Sequence, residues 1–188
     1  MRIHAISSRP MSDAQKDRLR LCGDLHYFDA KLGDDGILDQ ARGAEILLIT
    51  PRLHFDVTTV LDNCRFISWQ GAGMDALNLD RCREKGIVVS NIPNFSKDAV
   101  AEHAWALILA LAKRLEEGRS TIIDGLWTEA LAYFTTGLRG RTLGLFGFGK
   151  IGQRIAEIAA AFGMKVIATV RDSSRRRSVK TVEFRRIA

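Results

Sequence analysis

The chain has 188 residues, of which 46% are hydrophobic and 27% are charged, a composition typical of globular proteins rather than of disordered or membrane-embedded ones. Its net charge of +6 lies in residues 165–188, which carry eight Lys or Arg against two Asp or Glu. Three cysteines without paired spacing and a longest apolar run of nine residues (104–112) argue against a disulfide or metal framework and a membrane span. We therefore expect a cytoplasmic protein, and the basic tail, which lacks motif support, does not predict a nucleic-acid partner.

The first half of the chain alternates between strand-like and helix-like segments. Strands separated by helices predict an α/β unit with a parallel sheet covered on both faces. Asp13 is placed to cap the first helix. Strands are predicted over 2–7, 25–30, 45–50, 65–70 and 87–92, and helices over 13–23, 37–44, 57–64 and 78–86.

A long helical segment follows this unit. Residues 96–127 continue almost without a helix-breaking signal, and Ser96 or Asp98 is placed to cap their start. Apolar side chains recur at helical spacing from Val100 to Leu115, so one broad face of this helix is expected to be buried. We interpret residues 96–139 as a long interdomain helix and linker.

A glycine-rich turn opens a second α/β unit. Gly147, Gly149 and Gly152 form a G-x-G-x-x-G pattern between a strand at 143–146 and a helix at 151–162. A second strand is predicted over 165–170. This context is the one required for a dinucleotide-binding turn, although a flavodoxin-like turn with incidental glycines has the same local pattern.

The second unit is short for a nucleotide-binding domain. Only 36 residues follow Gly152, and they supply at most one further strand, over 179–184. A complete six-stranded sheet needs roughly 30 residues for each βαβ unit. We therefore interpret residues 140–188 as a partial dinucleotide-binding domain.

Two separated stretches resemble one protein family. They are GAGMDALNLDRCREKGIVVSNIPNFSKDAVAEHAWALILALAKR and GLRGRTLGLFGFGKIGQRIAEIAAAFGMKVIA, beginning at Gly71 and Gly137. They resemble the D-isomer-specific 2-hydroxyacid dehydrogenases, and within them glycerate dehydrogenase/hydroxypyruvate reductase. The resemblance implies a flavodoxin-like substrate domain over 1–95, followed by an incomplete Rossmann NAD(P)-binding domain. It also implies hydride transfer between a nicotinamide cofactor and a small 2-hydroxy or 2-keto acid.

The resemblance also assigns site residues in the first unit. Ala72 and Gly73 match the loop whose backbone N–H groups bind the substrate carboxylate, and small residues let an anion reach those donors. Phe95 matches a residue that lines the substrate cleft. Lys97 stands where many relatives have Thr or Ser, so that contact with the nicotinamide is not expected here. His103, although it resembles half of an acid–base pair with Glu102, is interpreted as structural.

The cofactor is expected to contact the glycine turn and the start of the helix that follows it. In NAD-preferring folds an acidic residue ends the second strand and binds the ribose hydroxyls. Here Val170 occupies that position and Arg171 follows, so NADP is favoured over NAD, whereas Asp172 would support NAD if the strand ran further. The predicted cofactor-binding residues are Gly147, Phe148, Gly149, Lys150, Ile151, Gly152 and Arg171.

No catalytic residue and no metal ligand is assigned within the chain. The resemblance implies a catalytic Arg, Glu and His that lie after the segment matching Val170, and none of the four histidines lies there. The sequence therefore predicts a C-terminally truncated dehydrogenase that is inactive alone. The alternative is a non-catalytic NAD(H)-sensing regulatory or corepressor-like protein. Relatives in this family are usually homodimers.

Overall fold

The fold has two compact units. The computed structural model describes residues 1–29, 33–50, 53–130, 134–170 and 182–186, and the chain divides into unit 1, Met1–Phe95, and unit 2, Ser96–Ala188. Within the described ranges, no helix combines the length and apolar character needed to cross a membrane.

Unit 1 is built on a five-stranded sheet in the order β2-β1-β3-β4-β5, with every neighbouring pair parallel. This is the strand order of flavodoxin-like folds, in which ligands bind outside the carboxyl ends of the strands. The predicted α/β class is confirmed. The strands are β1 (Arg2–Ser7), β2 (Asp24–Asp29), β3 (Ile46–Ile49), β4 (Phe66–Trp69) and β5 (Val88–Ser90).

The core of unit 1 lies on the central strands. Leu47, Ile49, Ile67 and Trp69 are buried, as expected for parallel strands that are covered on both faces. Among the described residues of unit 1, three α-helices and one short 3₁₀ helix connect the strands and pack on the sheet. They are α1 (Asp13–Arg20), α2 (Asp34–Ala41), the 3₁₀ helix Val57–Val60 and α3 (Leu79–Glu84).

Two local predictions in unit 1 are wrong. Ser12, not Asp13, caps α1: its side chain accepts from the Gln15 N–H and the Gln15 side chain accepts from the Ser12 N–H. The helix predicted over 57–64 is only one 3₁₀ turn, in which the Asp56 carboxylate accepts from the Thr58 N–H. Four consecutive β-branched residues follow Asp56, and their low helix propensity explains why the turn does not propagate.

Unit 2 begins with three helices rather than the single predicted one. They are α4 (Lys97–Lys113), α5 (Leu115–Ile123) and α6 (Trp127–Ala130). The break lies at Arg114, whose φ of 51° is left-handed and ends α4. Glu116 and Glu117 then occupy the first turn of α5, where negative charge is favourable, and Arg114 pairs with Glu117 at 3.2 Å. An unbroken helix over 96–127 is therefore a wrong prediction.

The rest of unit 2 is a three-stranded parallel sheet in the order β6-β7-β8 with one described helix. Helix α4 packs on that helix: Trp105 is 3% exposed, its indole N–H donates to the Ile155 carbonyl at 3.2 Å, and its ring stacks on Phe162. Helix α4 is thus part of the core of unit 2. The elements are β6 (Thr142–Phe146), α7 (Lys150–Ala161), β7 (Lys165–Val170) and β8 (Val182–Arg186).

Candidate functional site

The turn that follows β4 has all three of its carbonyl groups fixed by donors from other parts of unit 1. The Ile92 N–H donates to the Gly71 carbonyl at 3.0 Å, and the Asn91 side-chain amide donates to the Ala72 carbonyl at 2.8 Å. The buried Trp69 donates its indole N–H to the Gly73 carbonyl at 2.6 Å. The direction of each peptide group in this turn is therefore set by a hydrogen bond.

The fixed carbonyls determine where the N–H groups of the same turn point. In a trans peptide the N–H of a residue is antiparallel to the carbonyl of the residue before it, and no peptide bond in the described chain is cis. The Ala72 and Gly73 N–H groups therefore point away from Ile92 and Asn91, and neither has an acceptor among the residues that the structure describes. Both residues are exposed. Adjacent free N–H groups of this kind can bind an anionic group such as a carboxylate.

The chain that follows Gly73 borders a cavity. A Cβ at residue 73 would lie 3.2 Å from Oδ2 of Asp75, so a larger side chain would displace that carboxylate. The cavity, of about 510 Å³, is lined by Asp75 and Asn78 and by His54 and Asp56 from the opposite loop. Asp56 is already paired with Arg81 at 2.7 Å.

The third predicted substrate residue, Phe95, lies at the last position of unit 1 and is 64% exposed. The hydrogen bonds to the 71–73 turn come instead from residues earlier in that loop, Asn91 and Ile92, and from Trp69. Sequence reasoning missed Asn91 and Trp69. The available signal was weak: a side-chain amide directly after a strand.

The glycine turn of unit 2 has the geometry of a phosphate-binding turn. Gly147 has a φ of +92°, which a residue with a side chain adopts only with strain, and its N–H donates to the Thr169 carbonyl of β7 at 2.9 Å. A Cβ at residue 152 would lie 2.9 Å from the Gly147 carbonyl oxygen, so only glycine permits this close packing of helix and turn. A Cβ at residue 149 would meet no atom of another segment within 4 Å, which leaves space for a ligand.

Helix α7 begins at this turn with Gly149 as its N-cap and without a side-chain cap. Its first-turn N–H groups and its dipole therefore face the open space, as at pyrophosphate sites of dinucleotide-binding folds. Lys150 and Ile151 are exposed beside it, whereas Phe148 is half-buried and packs against the core of unit 2. The residues present fit a dinucleotide pyrophosphate.

Charged side chains close to this turn form an ion-pair network between α4 and α7. Nε of Arg154 lies 3.0 Å from Asp98, and its Nη1 donates to Glu157 at 2.9 Å. The hydrogen bond that Arg154 donates to Glu157, with the nearby Asp98 charge, raises the pKa of Arg154. The Arg154–Asp98 pair therefore links α7 to the first turn of α4.

Two further predictions concern the end of β7 and metal binding. Val170 ends β7 as predicted, whereas Arg171 lies outside the described residues. Over the described ranges, no group of three or more His, Cys, Asp or Glu side chains is arranged to hold a metal ion.

Comparison with known proteins places this geometry in a family. Residues 105–187 match the NAD-binding domain of the D-isomer-specific 2-hydroxyacid dehydrogenases. A glyoxylate reductase of Aeropyrum pernix is 34% identical over 169 residues, which is 82% of this chain and 50% of that protein. A hydroxypyruvate reductase of Thermotoga maritima is 42% identical over 147 residues, which is 77% of this chain and 48% of that protein.

A solved structure shares the fold over nearly the whole chain. An acyclic imino acid reductase in complex with NADPH and D-arginine superposes with a TM-score of 0.84 and 26% identity, covering 98% of this chain and 60% of that one. The chain spans about half the length of the curated relatives it matches. The two glycine turns, the flavodoxin-like strand order and these similarities agree: the chain belongs to the D-isomer-specific 2-hydroxyacid dehydrogenase family.

Proposed function

We propose that this chain takes part in hydride transfer between NAD(P) and a small 2-hydroxy or 2-keto acid of the glyoxylate, hydroxypyruvate or glycerate type. Residues 1–95 form the substrate domain, 96–139 the interdomain helix and linker, and 140–188 part of the cofactor domain. One observation supports this most strongly: each unit presents outward N–H groups from a glycine turn at the carboxyl end of a parallel strand. One turn suits a carboxylate and the other a pyrophosphate.

The proposed substrate site uses the Ala72 and Gly73 N–H groups for the carboxylate, with Phe95 at the edge of the cleft. Backbone donors recognise the carboxylate that all 2-hydroxy and 2-keto acids share. They do not select among the groups attached to C2. The names of the similar proteins, glyoxylate reductase and hydroxypyruvate reductase, support a substrate of two or three carbons.

The proposed cofactor site uses the turn Gly147–Gly152 for the pyrophosphate. The nicotinamide, when bound, supplies or accepts the hydride. NADP is favoured because Val170, at the end of β7, has no carboxylate to bind a ribose 2′-hydroxyl, and Arg171 directly after it can bind a 2′-phosphate.

The cellular location, the oligomeric state and the activity of the 188-residue chain can also be proposed. We expect it to act in the cytoplasm, which its three unpaired cysteines support, and to form a homodimer like its relatives. Alone, it should bind ligands without catalysing turnover, because no acid–base residue is assigned within it. The assay is NAD(P)H oxidation with glyoxylate or hydroxypyruvate, and turnover above the blank would refute the inactivity proposal.

A titration tests the cofactor proposal. Tryptophan fluorescence of the full 188-residue chain should change on adding NADPH or NADH, with tighter binding of NADPH. Arg171→Ala should weaken NADPH binding about 10- to 100-fold, the value of a charge-assisted contact, and leave NADH binding almost unchanged. Equal losses would show that Arg171 does not bind the 2′-phosphate. Absence of binding by either cofactor would refute the cofactor site.

A further inference from the structure

A side chain that follows the last glycine of the fingerprint makes a hydrogen bond back to the turn. Nε2 of Gln153, on the first turn of α7, donates to the carbonyl of Phe148 at 3.1 Å, and this contact is partly buried. The backbone N–H of the same residue donates to the Gly149 carbonyl at 2.9 Å. Gln153 therefore binds two consecutive carbonyl groups of the turn, one through its side chain and one through its backbone.

The side-chain contact determines the direction of one particular N–H group. Phe148 and Gly149 are joined by a trans peptide, so the Gly149 N–H is antiparallel to the Phe148 carbonyl. When Gln153 fixes that carbonyl, the Gly149 N–H points to the opposite side. Among the residues that the structure describes, this N–H has no acceptor, and open space surrounds Gly149.

We propose that Gln153 is a positioning residue for the dinucleotide site, and that its side-chain amide orients the Gly149 N–H towards the cofactor pyrophosphate. The inference rests on the proposed cofactor site and adds a residue outside the three glycines. Gly149 needs such a constraint because a glycine backbone has more conformational freedom than that of any other residue. A preorganised donor binds an anion more tightly than one that must be ordered on binding.

The amide group of Gln153 suits this role for a chemical reason. A carbonyl group needs a donor, and a neutral amide provides one without adding a charge beside the phosphates. A glutamate would place a second acceptor against the Phe148 carbonyl. A methionine keeps the length of the side chain and removes the donor, so Gln153→Met removes the hydrogen bond to the Phe148 carbonyl.

The experiment compares the full 188-residue chain with Gln153→Met by calorimetric titration with ADP. Binding to the variant should be about 3- to 10-fold weaker, as expected for the loss of one net hydrogen bond. The matched control is Gln40→Met, another half-buried helical glutamine, whose side chain makes no hydrogen bond within the described part of the chain. This control should bind ADP as the unmodified chain does.

A second readout separates orientation of the turn from general destabilisation. In ¹H–¹⁵N spectra, inorganic pyrophosphate should shift the Gly149 amide resonance of the unmodified chain strongly and that of folded Gln153→Met weakly. Equal ADP affinities and equal Gly149 shifts for the two proteins would overturn the role of Gln153 while leaving the cofactor site intact. Absence of ADP binding by the unmodified chain would overturn both, so the two failures are distinguishable.

Discussion

The two units present the same kind of turn but support it differently. In unit 1 the amide that fixes the turn belongs to Asn91, which is 19 residues from Ala72 and reaches it only after β5 has joined the sheet. In unit 2 the amide belongs to Gln153, five residues from Phe148 in the same turn and helix. The first turn therefore depends on the assembled sheet, whereas the second depends mainly on local structure.

The sheets behind the turns also differ. In unit 1, β3 lies between β1 and β4, and its inward residues Leu47 and Ile49 are buried. In unit 2, β6 has one strand partner within the described ranges, β7, and its last residue, Phe146, is 90% exposed. The turn of unit 2 is thus locally specified but lies on the less enclosed sheet.

Hydrogen exchange should reveal the largest difference between the units. Amides of Thr142–Phe146 should exchange at least roughly 100-fold faster than those of Ile46–Ile49, because an edge strand with an exposed end opens at lower free energy than a central one. Native-state exchange followed by NMR measures both strands in one sample. Equal protection would mean that the two sheets are equally stable and would contradict this prediction.

Replacing a glycine in each turn should have unequal effects. At Gly152 a side chain would meet a backbone carbonyl at 2.9 Å, so Gly152→Val should weaken ADP binding by roughly 50-fold through overpacking. At Gly73 the added Cβ would meet only the end of the Asp75 side chain, which can rotate, so Gly73→Ala should weaken glyoxylate binding a few-fold at most. Titrations monitored by NMR measure both. A larger loss for Gly73→Ala would contradict the packing argument.

Asn91 can be tested by a nearly isosteric change. In Asn91→Asp a carboxylate faces the Ala72 carbonyl instead of a donor, so the peptide that carries the Gly73 N–H should rotate. That rotation removes the hydrogen bond from the Gly73 N–H to the glyoxylate carboxylate. We expect glyoxylate binding to weaken roughly 10- to 30-fold, the magnitude of one charge-assisted hydrogen bond, while ADP binding is unchanged. The control is the exposed Asn63→Asp, which adds the same charge elsewhere in unit 1. If both variants bind glyoxylate equally, the effect is not due to the turn.

The smallest expected effect is an alkaline loss of stability confined to unit 1, which contains all three cysteines. Burial raises the pKa of the Cys64 and Cys82 thiols. The pKa of each thiol in the folded protein thus exceeds its value of about 8.5 in the unfolded chain. The two thiols therefore contribute stability that is fully present below about pH 8.5 and is lost as the pH rises through the folded pKa. Urea unfolding of Cys64→Val should show a smaller decrease in the free energy of unfolding between pH 7 and pH 10 than that of the unmodified chain. An equal decrease for the two proteins would contradict this prediction.

Features that depend on local spacing could be predicted from the sequence alone. Alternating apolar segments predicted the strands of both sheets, and the spacing of Gly147, Gly149 and Gly152 predicted the turn and the helix that follows it. These predictions succeed because a buried parallel strand requires apolar side chains, and a glycine turn requires glycines, within a stretch of a few residues. Local competition explains the two wrong predictions: Ser12 caps the helix that Asp13 is predicted to cap, and β-branched residues shorten the turn after Asp56.

The side chain that fixes the Ala72 carbonyl and the position of α4 both follow from tertiary contacts. Asn91 meets Ala72 because parallel pairing of β4 with β5 brings the loops after these strands to one edge. Arg114 adopts a left-handed conformation that no propensity predicts, and it divides the long helix. Trp105 then joins α4 to α7 through a contact across 50 residues of sequence, which side-chain spacing within either helix cannot specify.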